Sequence, residues 1–256
     1  MSVLNVHELG DPAGPPLLAI HGVRAHGRRF RRLAEEAWPE RRTIAVDLRG
    51  HGRSTYDAPW SIEQHVADLI ETLSDLEAVD VVGHSYGGEI ALHLLATHPE
   101  RVRRLVMLDP AIALDGDRGS REALAAIADP GWGSVEDATE ARAAGLFPGT
   151  EAAVAEDIAE HLVQGEDGRF RLRFHKPAVV TGWGELCRPI PQITTRRPAL
   201  LVVAEQADFV SDAVLAGLHE QLDPDLTVVT LDCGHMVYWD RFEETAAAVA
   251  GFLRAE

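Results

Sequence analysis

Val79-Asp80-Val81-Val82-Gly83-His84-Ser85-Tyr86-Gly87-Gly88 joins a short apolar run to a segment of helical spacing through a serine set among glycines. The run Val79–Val82 reads as a buried strand. Ile90, Leu94 and Leu95 form the stripe of a following helix, which His98-Pro99 terminates. Strand, sharp turn and helix in that order are the context that gives Gly-x-Ser-x-Gly its meaning. The turn forces Ser85 into a strained backbone conformation, so Gly83 and Gly87 must be nearly free of side-chain bulk. It also lifts the hydroxyl clear of the sheet edge, at a helix N-terminus whose N–H dipoles favour developing negative charge. The chain has 256 residues with 8 serines and 22 glycines, and roughly 0.06 such pentapeptides would arise by chance. Ser85 is therefore read as a nucleophile rather than an incidental turn serine.

Other short apolar runs surround this one. Leu17–Ile20, Thr43–Val46, Arg104–Leu108, Ala199–Ala204 and Leu226–Leu231 are bounded by Gly, Pro or Asp and read as strands. They alternate with helical patterns, including the stripe Ile62, Val66, Leu69, Ile70 and Leu73 opened by Ser61, and a last helix over about 242–253. This predicts an α/β fold, with a mostly parallel central sheet covered by helices on both faces. From Ala111 to Arg197 no convincing buried strand is found, and a structureless loop of that length is improbable. The expected organisation is a core formed by residues 1–110 and 198–256, with 111–197 as a helical cap inserted before the last two strands.

The formal net charge is -17, from 24 basic and 41 acidic side chains. Such a surface disfavours nucleic acid and anionic membranes, which call for clustered cations. The local cluster Arg24 to Arg32 reads as a solvated helix face near a loop. Cys187 and Cys233 make neither a disulfide framework nor a ligand set, which suits a reducing compartment. Met1 to Gly10 has no signal-peptide pattern, and no apolar run reaches the length of a membrane span. A cytoplasmic protein without stable membrane insertion is expected. His161 and His175 lack partner ligands at metal-binding spacing, and neither a phosphate loop nor a dinucleotide fingerprint is found. No metal, no cofactor and no oligomeric state is read from the chain.

Four landmarks stand in a familiar order: His21-Gly22 after a strand, Asp47-Leu48-Arg49-Gly50-His51-Gly52-Arg53-Ser54, the Ser85 turn, and Cys233-Gly234-His235-Met236. With them the sequence resembles the α/β-hydrolase fold family, and most of all its small bacterial serine esterases and lipases. The resemblance covers the chain outside the expected cap. It implies that His235 is the catalytic base, and that an acid follows the strand 199–204, where Asp208 stands. Glu205, Asp212 and Asp109 compete for the acid's role, Asp109 because some members take it from the end of the strand 104–108. The implied oxyanion hole is made of the backbone N–H groups of Val23 and Tyr86. His21 would anchor its loop, and the Asp47 to Ser54 segment would be a pinned structural loop.

The expected chemistry is hydrolysis of a carboxylic ester, a small-molecule substrate, through an acyl-enzyme. Lactone, thioester or C–C bond hydrolysis and cofactor-free haloperoxidation use the same residues and stay open. So does a non-catalytic small-molecule receptor on the same fold. Trp132, Phe147, Phe170, Phe174 and Trp183 lie in the cap, where some could line a pocket. Tyr86, Val23, Met236 and Val237 would sit nearer the chemistry. The pattern favours an uncharged, moderately apolar ester.

Overall fold

A computed structural model describes residues 4–144 and 150–254, so Phe147 lies outside the described residues. Strands β1 (Val6–Gly10), β2 (Pro16–Ile20), β3 (Arg42–Val46), β4 (Val79–His84) and β5 (Val102–Leu108) come first. They are interleaved with α1 (Ile62–Thr72) and α2 (Tyr86–Thr97). After β5 the chain forms α3 (Gly116–Ala128), α4 (Val135–Ala143), α5 (Glu151–His161), the hairpin β6 (Leu162–Gln164) and β7 (Phe170–Leu172), and α6 (Lys176–Glu185). It returns to the sheet as β8 (Ala199–Ala204), α7 (Asp212–Leu222), β9 (Leu226–Leu231), α8 (Val237–Asp240) and α9 (Phe242–Arg254). The seven-stranded sheet runs β1-β3-β2-β4-β5-β8-β9 and is parallel except for β1, which pairs antiparallel with β3. All six expected strands are present, with β1 added at the edge. The stretch in which no buried strand is expected carries the short hairpin β6–β7, three residues to each strand, in which only Leu172 is buried.

Alternation along the strands divides the apolar residues between two cores. Leu18, Ile20, Val81, Leu105, Met107 and Leu201 pack on one face with Ile62, Val66, Leu69 and Leu94. Leu17, Ala19, Val82, Val106, Leu108 and Leu200 pack on the other with Phe30, Leu33, Val249 and Leu253. Strands buried on both faces need continuous apolar runs, which is why they were legible as such. Ser61 caps α1, its side chain accepting from the Gln64 N–H. Among the described residues no helix is long and apolar enough to cross a membrane.

The loop after β3 is pinned around the buried Asp47. Its carboxylate accepts the Gly27 N–H at 2.8 Å, the Arg53 N–H at 2.9 Å and the Asn5 side-chain amide at 2.9 Å. Gly52 has φ 54°, and a Cβ there would overlap the Asp47 carboxylate. Arg49 grips Asp68 on α1 through two hydrogen bonds of 2.7 Å. Burial alone would raise the Asp47 carboxyl, but the hydrogen bonds from His7, Arg53 and Gly27 hold it well below the ordinary carboxylate range. Asp47→Ala leaves two backbone donors without acceptors and is expected to cost about 3 kcal/mol, read as a lower urea midpoint at unchanged m-value.

Candidate active site

Ser85 is the residue between β4 and α2, at φ 55° and ψ −120°. The left-handed φ is costly for a residue with a side chain, and the packing explains why it persists. A Cβ on Gly83 would overlap the Gly87 carbonyl, and one on Gly87 would overlap the Ile20 carbonyl. A Cβ on Gly22 would lie 2.9 Å from that of Ser85, so the β2 loop presses directly against the serine. Ser85 lines a cavity of about 200 Å³ together with Gly22, Val23, His84, His235 and Met236.

His235, 150 residues further along the chain, is buried in the same wall. Its Nδ1 donates to Asp109 Oδ2 at 2.6 Å, and Asp109 Oδ1 accepts the Ala204 N–H at 3.0 Å. Phe209 stacks on the imidazole with centroids 4.0 Å apart. His84 Nε2 donates to the His235 carbonyl at 3.0 Å and fixes the loop. Burial lowers the His235 imidazole to about 3 and raises the Asp109 carboxyl to about 7. Both shifts have the same cause, the cost of holding charge away from water.

The implied acid Asp208 is not brought to this pair. Its side chain is 87% exposed and turns outward to Arg118, whose guanidinium lies 2.9 Å away. Asp109, the alternative from the end of β5, occupies the position beside His235, and its own backbone has a left-handed φ of 40°. Glu205 and Asp212 are exposed to solvent.

Val23 and Tyr86 flank the serine in the β2 loop and at the first turn of α2. Among the described residues neither backbone N–H has a protein acceptor, so both donors are open at the start of a helix and in the adjoining loop. His21 anchors that loop: its Nε2 accepts the Leu48 N–H at 2.9 Å, and its Nδ1 donates to the Gly22 carbonyl at 2.7 Å.

The rest of the lining departs from a plain apolar pocket. Trp132, Leu172, Trp183, Phe209 and Met236 supply apolar surface, but Arg24, Arg29, Arg142 and Glu122 also face the cavity. Phe170 and Phe174 do not line it. The basic run 24–32 is thus not wholly a solvated face, because Arg29 is only 6% exposed and held by Asp157 of α5 at 2.6 Å. Sequence reading missed Arg24 and Arg29, although their position directly after His21-Gly22 was the available signal.

The sequence profile described as "Alpha/beta hydrolase family" matches residues 17–248. The chain is 40% identical to the lipase LipV of Mycobacterium tuberculosis, over 98% of this chain and 97% of the lipase. It is 33% identical to the 2-(acetamidomethylene)succinate hydrolase of Mesorhizobium japonicum, over 98% of this chain and 92% of that enzyme. A crystal structure of E-2-(acetamidomethylene)succinate hydrolase superposes with a TM-score of 0.87 at 26% identity, covering 98% and 95% of the two chains.

The short Nδ1–Oδ2 contact should give a strongly downfield imidazole proton in the ¹H NMR spectrum. That resonance is expected to survive Asp208→Asn and to vanish in Asp109→Ala.

Proposed function

The chain belongs to the alpha/beta hydrolase family, and from that footing we propose that it hydrolyses carboxylic esters through an acyl-enzyme formed on Ser85. The observation that carries this reading is the shared cavity: Ser85 on its strained turn and His235, oriented by Asp109, line the same wall. Similarity to proteins named lipase and esterase supports the bond type, the esterase being YbfF of Escherichia coli at 26% identity.

Ser85 Oγ attacks the ester carbonyl carbon while His235 Nε2 takes the hydroxyl proton. The carbonyl π pair moves to oxygen, where the Val23 and Tyr86 N–H groups receive the oxyanion. Collapse expels the alkoxide, which leaves as alcohol with the proton from His235. Water then repeats the sequence on the acyl-enzyme, releasing the acid and restoring the serine. Asp109 stays a carboxylate throughout, fixing the tautomer and stabilising the transient imidazolium. Residues 111–197 serve as a cap, since Glu122, Trp132, Arg142, Leu172 and Trp183 from this segment line the cavity. The partner is a small-molecule substrate, and a cytoplasmic setting suits two thiols that form no disulfide.

A fluorophosphonate probe is expected to label Ser85 in the native protein, with labelling lost in Ser85→Ala and His235→Ala. A protein that ignores both this probe and short p-nitrophenyl esters would favour the receptor reading instead. Asp109→Asn is expected to lower kcat on the order of 10⁴-fold, while Asp208→Asn stays within a few-fold of the native rate. The competent pair holds one proton, on Nδ1. A second proton abolishes it whether it lands on Asp109 or His235. With Asp109 raised to about 7, kcat/KM should fall with acidification from near neutrality, approaching tenfold per pH unit. The check is a pH–rate profile on a neutral ester.

A further inference from the structure

The cavity beside Ser85 is charged in a way that hydrolysis of a plain ester does not require. The chain as a whole carries -17, yet this cavity gathers three arginines, Arg24, Arg29 and Arg142. Glu122 is the one carboxylate among the described lining residues. Behind the wall, Arg29 donates Nε and Nη2 to the two oxygens of Asp157 at 2.6 and 2.7 Å, and Arg142 Nε donates to the same carboxylate at 3.0 Å. Two guanidiniums therefore share one carboxylate, which leaves local positive charge in a partly desolvated place.

Arg24 is the most available of the three. It follows Val23 in the loop pressed against Ser85, and its backbone has φ 62°, a left-handed conformation that a bulky residue rarely adopts. That conformation coincides with a guanidinium delivered to the cavity and lying 5.3 Å from the Phe174 ring centroid. Its ion pair with Asp129 is long, at 3.6 Å, and the side chain keeps 37% of its surface exposed. Burial lowers both Arg24 and Arg142; the neighbouring charge of Arg29 acts in the same direction, opposed by Asp129 and Glu122 at Arg24 and by Asp157 at Arg142. An anion bound here would relieve that repulsion. A planar guanidinium fork recognises carboxylate in particular.

We propose that Arg24, in the field of Arg29 and Arg142, forms a carboxylate subsite, so the preferred substrate is a small ester bearing a free carboxylate. Subsite and serine share one cavity of about 200 Å³, so the anion and the scissile carbonyl belong to one short molecule. This rests on the hydrolytic reading above and narrows it, against the uncharged ester that the sequence favours.

The test is a matched pair, methyl pentanoate and monomethyl glutarate, which differ in a terminal methyl against a carboxylate. The native protein is expected to favour monomethyl glutarate in kcat/KM by about tenfold or more, the scale of one charge-assisted hydrogen bond. Arg24→Met should collapse that ratio mainly through KM, and Arg24→Lys should recover part of it. Glu122→Gln, which removes the lining carboxylate, should raise the ratio and serves if Arg24→Met fails to fold. A native preference for methyl pentanoate would overturn the subsite, as would a ratio unmoved in both Arg24→Met and Glu122→Gln. Fluorophosphonate labelling of the same samples separates the two failures. Labelled Ser85 without anion preference sinks the subsite alone, whereas an unlabelled Ser85 sinks the hydrolytic reading beneath it.

Discussion

Ser85 holds a backbone conformation that costs about 1–3 kcal/mol, and the centre of the molecule is arranged around keeping it there. Its N–H donates to the Leu108 carbonyl at 3.1 Å, while its own carbonyl accepts from Gly88 at 2.9 Å and Ala111 at 3.3 Å. These bonds tie the turn to the end of β5 on one side and to the first turn of α2 on the other. Gly83, Gly87 and Gly22 let three backbones meet where no side chain would fit. The hydroxyl's exposure to the cavity is thus a property of strand order, since β2, β4 and β5 must be neighbours for the contacts to form.

The same constraint settles which acid meets His235. Once Leu108 is bonded to Ser85, the next residue is Asp109, whose N–H donates to the Val202 carbonyl at 2.7 Å. The Asp109 side chain then sits between β8 and the imidazole. The end of β8 contributes the Ala204 amide that orients the acid, rather than the acid itself. Beyond it, Phe209 covers one face of the imidazole, and Arg118 draws Asp208 toward solvent.

What was legible in the chain follows from which forces write themselves into residue type. Doubly buried strands demand apolar runs, and the turn at Ser85 demands glycines, so both were readable. Strand β1 was not, because Val6-His7-Glu8-Leu9-Gly10 holds no apolar run, whereas the opposite edge strand β9 carries one in Val228-Val229 between Leu226 and Leu231. Edge pairing is made by backbone groups that any residue carries. The choice between Asp109 and Asp208 turned on side-chain direction, which spacing along one strand does not encode. Arg29 was misplaced because a run of arginines is ordinarily solvated, and its partner Asp157 lies 128 residues away.

That distant pairing links α5 to the wall of the cavity. Asp157 belongs to α5, whereas His26 and Arg29 belong to the loop after β2. Arg142, from α4, joins them on the same carboxylate. A buried ion cluster stabilises little relative to an apolar one of equal shape, but breaking it leaves charges stranded, so it fixes one relative placement of the parts. Moving α5 away would leave Arg29 buried without its carboxylate, so electrostatics as well as apolar packing fix where this helix sits. Because the guanidiniums that hold α5 also line the cavity, the position of this helix and the charge inside the cavity are set by the same contacts.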